Sequence, residues 1–125
     1  MQNMTADQAV SLRDRYIAMW NGNDGEPVEA MIRSLWTERG GHTAPRLAVR
    51  GIDELEARVA RSIQHWIVEE RCRFRPHGEP AFHHNLIRFV WEMVDANGNV
   101  ESVGTEILAL ADDGKIAEAY QFVER

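Results

Sequence analysis

Tyr16 stands in the segment RYIAMWNG, on a face where apolar residues recur at helical spacing: Ala9, Leu12, Tyr16, Met19 and Trp20. A phenol on a buried face needs a partner for its hydroxyl. That partner is either structural or the contents of a cavity, and a cavity gives the hydroxyl a hydrogen bond to donate. His42, beside Gly40-Gly41, carries an imidazole whose ordinary pKa near 6.5 suits proton transfer at neutral pH; the plainer reading is a hydrogen-bonded loop histidine. Asn85 and Gln121 fall on inward strand positions, where an amide must bond to a ligand, a water or another buried group. His83-His84 hints at a metal. Adjacent strand residues point to opposite faces, however, and no second ligand stands at a zinc-type spacing, so no metal site is expected. Cys72 has no evident activating base. Of the four tryptophans, Trp20 closes the first helix and Trp91 lies on an inward strand face, where aromatic rings can stack on a ligand.

These side chains must be carried by three helices and a set of strands. Thr5 and Gln8 have the spacing of a capping box, and Asn21-Gly22 ends the first helix. Pro27 suits the first turn of a second helix, along which Val28, Met31, Ile32, Leu35 and Trp36 form an amphipathic stripe. Gly40-Gly41 breaks it. Pro45 limits GHTAPRLAVRG to an edge strand plus loop. A third helix starts near Ile52 or Asp53, with Leu55, Val59, Ser62, Ile63 and Trp66 along one side; Ser62 is the weak point of that stripe.

After Trp66 the period drops to two. RCRFRPH reads as a strand, FHHNLIRFVWEMV as a longer one, NVESVGTEILALA as a third and KIAEAYQFVE as a fourth, with Asn97-Gly98 and Asp113-Gly114 as hairpin turns. One face of the longer strand carries His83, Asn85, Ile87, Phe89, Trp91 and Met93 and should meet the helices. In the next strand Gly104, Glu106, Leu108 and Leu110 share a face opposite Val103, Thr105, Ile107 and Ala109. Both faces are largely apolar, and Tyr120 and Phe122 add to the outer one, which predicts a homodimer through the outer sheet face. The order predicts an α+β fold with helices on one side of a curved, mainly antiparallel sheet.

The 125 residues fit one domain spanning 1–125. Net charge is −6 and the basic residues are scattered, which gives nucleic acid and anionic membranes little electrostatic purchase. The lone cysteine fits a reducing compartment. The start, MQNMTADQAV, has neither the basic nor the apolar region of a signal peptide, and no apolar run approaches the ~20 residues of a membrane span. A cytoplasmic location is the expectation.

Five features together resemble the nuclear transport factor 2-like superfamily: the Arg-Tyr-Ile of helix one, Trp36 ahead of a short strand ending in Ala-Pro, RGIDEL opening helix three, GTEILALADDGKI, and the order of elements. More narrowly they resemble its SnoaL-like polyketide-cyclase and ketosteroid-isomerase branches, over nearly the whole chain. The resemblance implies a cone-shaped barrel, a cystatin-like roll, enclosing a pocket that serves many activities. It implies that Tyr16 donates to an oxyanion and that Glu106, eight residues before the Gly of DDGK, gives the second hydrogen bond as a carboxyl kept protonated by burial. The general-base aspartate of the isomerase branch is matched by Ala44, before Pro45; His42, on the same face, would take that place. The epoxide-hydrolase branch fits less, because position 104 is Gly rather than Arg.

The expectation is a small enzyme with no cofactor that enolises a hydrophobic carbonyl compound, of isomerase, cyclase or dehydratase type. Tyr16, His42 and Glu106 are its catalytic candidates, and Trp20, Trp36, His83, Asn85, Phe89, Trp91 and Gln121 its substrate-binding candidates. A ligand-binding module without turnover, or an interaction domain working through the outer sheet face, are the alternatives.

Overall fold

The chain is described by a computed structural model over residues 4–22 and 25–125. Helix α1 (Ala6–Trp20) starts at the capping box: the Gln8 N–H donates to Thr5 Oγ1 at 3.2 Å, and the Thr5 N–H donates to Gln8 Oε1 at 2.9 Å. Two of the four orphan amides at the helix start are thereby satisfied. Helix α2 (Val28–Leu35) buries Met31, Ile32 and Leu35, and α3 (Ile52–Ser62) buries Leu55, Val59 and Ser62. The chain then widens into a π-helical stretch, Ile63–Glu69, ending with the Glu70 N–H on His65 O.

Six strands follow the helices or separate them: β1 (Trp36–Ala44), β2 (Leu47–Arg50), β3 (Arg73–His83), β4 (Leu86–Val94), β5 (Val100–Leu110) and β6 (Ile116–Val123). They form one sheet in the order β2-β1-β6-β5-β4-β3. β1 runs parallel to β6, and the other four pairings are antiparallel. The architecture is α+β, three helices on one face of a mixed sheet. The sheet is open, with β2 and β3 at its edges, so helices and sheet together, rather than a closed barrel, wall the interior. Among the described residues no helix is long and apolar enough to cross a membrane.

Three elements differ from the sequence reading. The helix-two stripe stops at Leu35, and Trp36 opens β1 instead, its indole buried and its Nε1 donating to Gly41 O at 3.1 Å. Gly40 makes room for that ring: a Cβ there would lie 2.5 Å from Trp36 Cδ1. The single edge strand is a hairpin, β1–β2, because Pro45 and Arg46 form its turn. The long strand through His83 is in fact the end of β3, a tight turn at His84-Asn85 and β4; His84 takes a positive φ of 53°. Register is otherwise as the alternation predicts: Ile87, Phe89, Trp91 and Met93 of β4 and Gly104, Glu106, Leu108 and Leu110 of β5 are buried toward the helices.

Candidate functional site

One long-range contact closes the site. Tyr16, near the end of α1, reaches Glu106 in the middle of β5, ninety positions away, and its hydroxyl donates to Glu106 Oε2 at 3.0 Å. Both side chains are 1% exposed. The strands on either side supply two more donors to the other oxygen. Trp91 Nε1 of β4 donates to Oε1 at 3.2 Å and Gln121 Nε2 of β6, paired across from Glu106, at 2.9 Å. The Trp91 ring can lie there because residue 104 has no side chain: a Cβ on Gly104 would stand 2.1 Å from Trp91 Cζ2.

These donors favour the ionised carboxylate, and burial favours the neutral acid. Burial wins: desolvation pushes the Glu106 carboxyl up to about 7, against the pull of Gln121, Tyr16 and Trp91. The acid is therefore divided between its two forms at neutral pH, where a proton-transfer group is most useful. Trp91 and Gln121 present N–H groups to Oε1, so the acid's proton, when present, belongs on Oε2. Burial and the neighbouring Glu106 charge hold the Tyr16 phenol well above its ordinary 10, so it stays a donor.

Glu106 and Tyr16 line a cavity of about 600 Å³, within the ~300–1,000 Å³ typical of small-molecule sites. Trp20, Phe89, Trp91 and Gln121 line it as well, with Phe74 and Met93 among its apolar walls. It reaches solvent where Glu70, Glu101 and Val123 are exposed.

The remaining candidates lie outside that lining. His42 is wholly buried on β1, with Nε2 3.9 Å from Glu106 Oε2 and its ring 5.2 Å from that of Trp20. Neither ring nitrogen has a hydrogen-bond partner among the described residues. Desolvation, helped by the charge of Arg58, lowers it from 6.5 to about 3, so it is a neutral imidazole at the back of the site. Trp36 packs behind Tyr16, with ring centroids 5.5 Å apart. Strand alternation places His83 and Asn85 inward. The turn at His84 exposes both instead: His83 Nδ1 meets His84 Nδ1 at 3.0 Å, and the Asn85 amide donates to Leu110 O.

The structure also brings in residues that the sequence reading did not select. Arg58, Ser62 and Trp66 follow one another at spacings of four along α3 and the π-helical stretch, and all three line the cavity. Ser62 carried the available signal, as a small hydroxyl in an otherwise apolar stripe.

No protein-family model matches this sequence, and no curated protein matches it. Solved structures do. A proposed isomerase of the SnoaL-like family from Agrobacterium tumefaciens C58 superposes with a TM-score of 0.86 at 24% identity, covering 95% of this chain and 99% of that one. A proposed SnoaL-like polyketide cyclase from Jannaschia sp. CCS1 gives a TM-score of 0.71 at 18% identity, over 99% of this chain and 92% of that one. A protein of unknown function with a cystatin-like fold from Methylobium petroleophilum PM1 gives 0.75 at 15% identity, over 99% and 80%. At these identities the likeness establishes the fold: this chain is built as SnoaL-like and nuclear transport factor 2-like proteins are.

Proposed function

We propose that this chain is a small enzyme that enolises a hydrophobic carbonyl compound inside the cavity, in an isomerisation, cyclisation or dehydration, and that it needs no metal or organic cofactor. The observation that carries the reading is Glu106: a fully buried carboxyl on the cavity wall, pushed up to about 7 by desolvation, with the Tyr16 hydroxyl 3.0 Å away. In this scheme ionised Glu106 takes the proton from the carbon beside the carbonyl. As Glu106 Oε2 takes that proton, the Tyr16 hydroxyl is freed from it and donates to the oxyanion that develops; Glu106 then gives the proton to a second carbon in an isomerisation, to the leaving hydroxyl in a dehydration, or to the newly formed alkoxide in an aldol cyclisation. A donor already oriented in a dry site stabilises developing charge without reorganisation. His42, the base expected from sequence, is given a supporting place here, because it is off the cavity wall and burial lowers its pKa to about 3, which makes it a weak base at neutral pH. The fold is shared with proteins described as isomerase and polyketide cyclase, which fits this reading. A homodimer through the outer sheet face and a cytoplasmic location go with it.

The test is proton exchange. 1-Tetralone in D2O exchanges its α-protons slowly, and the rate is followed by proton NMR. The wild type should accelerate exchange. Glu106→Gln should lower the enzymatic rate by a factor of about 10² or more, and Tyr16→Phe by about 10–10³, as for loss of an acid–base group and of an oxyanion donor. Wild-type exchange no faster than buffer would remove the catalytic reading for this class of ketone.

One observation favours a second reading, a binding module without turnover. Glu106 already has three donors on its two oxygens, a set that also serves a purely structural acid. In that case Trp91→Ala would weaken ligand binding, and Glu106→Gln would leave it unchanged.

A further inference from the structure

Arg58 is the one cavity-lining cation, among the described residues. It rises from α3 with its guanidinium carbon 5.3 Å from the centroid of the Trp20 ring, a stacking distance for a cation over an aromatic face. Its Nε is shut off from solvent and has no acceptor, and no described carboxylate lies within ion-pair distance of it. Desolvation lowers its pKa from the ordinary value. A charge drawn partly out of water without a counter-ion is unfavourable, and structures tolerate it chiefly where something else supplies the opposite charge.

Glu106 is near enough for its charge to raise the Arg58 pKa, but among the described residues no acid of the cavity makes an ion pair with Arg58. Asp95 accepts from the backbone N–H groups of Asn97 and Asn99 at the β4–β5 turn. Glu106 holds three other donors. Ser62, one helical turn after Arg58 and buried, presents a hydroxyl on the same wall. A guanidinium with a hydroxyl beside it is a recognition pair for an oxyanion, and arginine matches the planar, two-pronged carboxylate best. The exposed acids at the rim, Glu70 and Glu101, are screened over about 8 Å at physiological salt. An anion with an apolar body gains the burial energy as well.

We propose that the cavity takes an amphipathic organic acid, whose carboxylate pairs with Arg58 and Ser62 while its apolar body lies against Phe74, Trp91 and Met93. Placing the reacting carbonyl of such an acid at Glu106 rests on the proposed enolisation; the anion site does not. The natural substrate would then be a hydrophobic keto acid.

Calorimetric titration with 2-naphthoate and 2-naphthamide, alike in shape and different in charge, tests this at pH 6.0 and 0.15 M salt. The wild type should bind the naphthoate at least tenfold more tightly than the amide. Arg58→Met should erase that preference and leave the amide affinity within about twofold, which also reports an intact cavity. Should Arg58→Met lose the amide too, Arg58→Gln takes its place in the same comparison. Equal affinities in the wild type, a preference that survives removal of Arg58, or no binding of either compound up to 1 mM would each overturn the proposal. A wild type that prefers naphthoate yet fails to exchange 1-tetralone removes the catalytic reading for neutral ketones and leaves the anion site standing.

Discussion

Two buried groups, 3.9 Å apart at Glu106 Oε2 and His42 Nε2, make opposite contributions to stability as pH changes. Glu106 has an ordinary pKa of 4.5 when unfolded and about 7 when folded. Between those values the folded chain holds a proton that the unfolded chain has lost, so stability falls as pH rises through that window. The full effect is roughly 3 kcal/mol. His42 goes from 6.5 to about 3 on folding. The unfolded chain there holds the extra proton, so stability falls as pH drops below 6.5. From about pH 4.5 to 6.5 the two slopes cancel. Glu106→Gln removes one of them. Thermal unfolding from pH 4 to 8 should show the variant gaining on the wild type by roughly 3 kcal/mol across that range, with its own stability rising up to pH 6.5 and then levelling. Parallel profiles for the two proteins would mean that Glu106 titrates normally.

At the scale of elements, the site depends on β5 giving up a side chain so that β4 can lay an indole across it. Gly104→Ala puts a methyl 2.1 Å from the present position of Trp91 Cζ2. The indole must move off Glu106. The expected cost is about 1–3 kcal/mol of stability, as for an overpacked core, together with a change in the Trp91 indole N–H resonance; an unchanged resonance would show that the hydrogen bond survives. Helix stripes, the capping box and the alternation of β4 and β5 were legible because each repeats one physical constraint over many residues, so Tyr16, Glu106, Trp91 and Gln121 could each be set on an inward face; that Tyr16 and Glu106 act together was implied by the resemblance alone. The β3–β4 turn was not. His84 adopts its positive φ without a Gly or Asn-Gly signature, and the unbroken alternation through it misplaced His83 and Asn85. Trp36 continued a helical stripe by spacing, while its packing against Gly40 was invisible. Arg58 carried no signal in the sequence, since only the tertiary fold shows that α3 turns that edge toward the cavity.

On the scale of the whole molecule, the same sheet has two different faces. The inner one carries the acid and its donors. The outer one leaves Tyr120 39% and Phe122 55% exposed, on strand β6, where Tyr120 pairs with Thr43 and Ile107 and Phe122 with Thr105. Covering that face with a second copy predicts a species of about twice the 14.3 kDa chain mass by light scattering, and Phe122→Glu should shift it to the monomer; a wild-type monomer at all concentrations would show that the face stays open. The central claim concerns the inner face: folding buries Glu106 deeply enough to make its carboxyl a neutral-pH proton carrier. Carbon-13 NMR of the Glu106 side-chain carboxyl, assigned by comparison with Glu106→Gln, measures that directly. A titration midpoint near 7 is the predicted result, and a midpoint near the ordinary 4.5 would contradict the account.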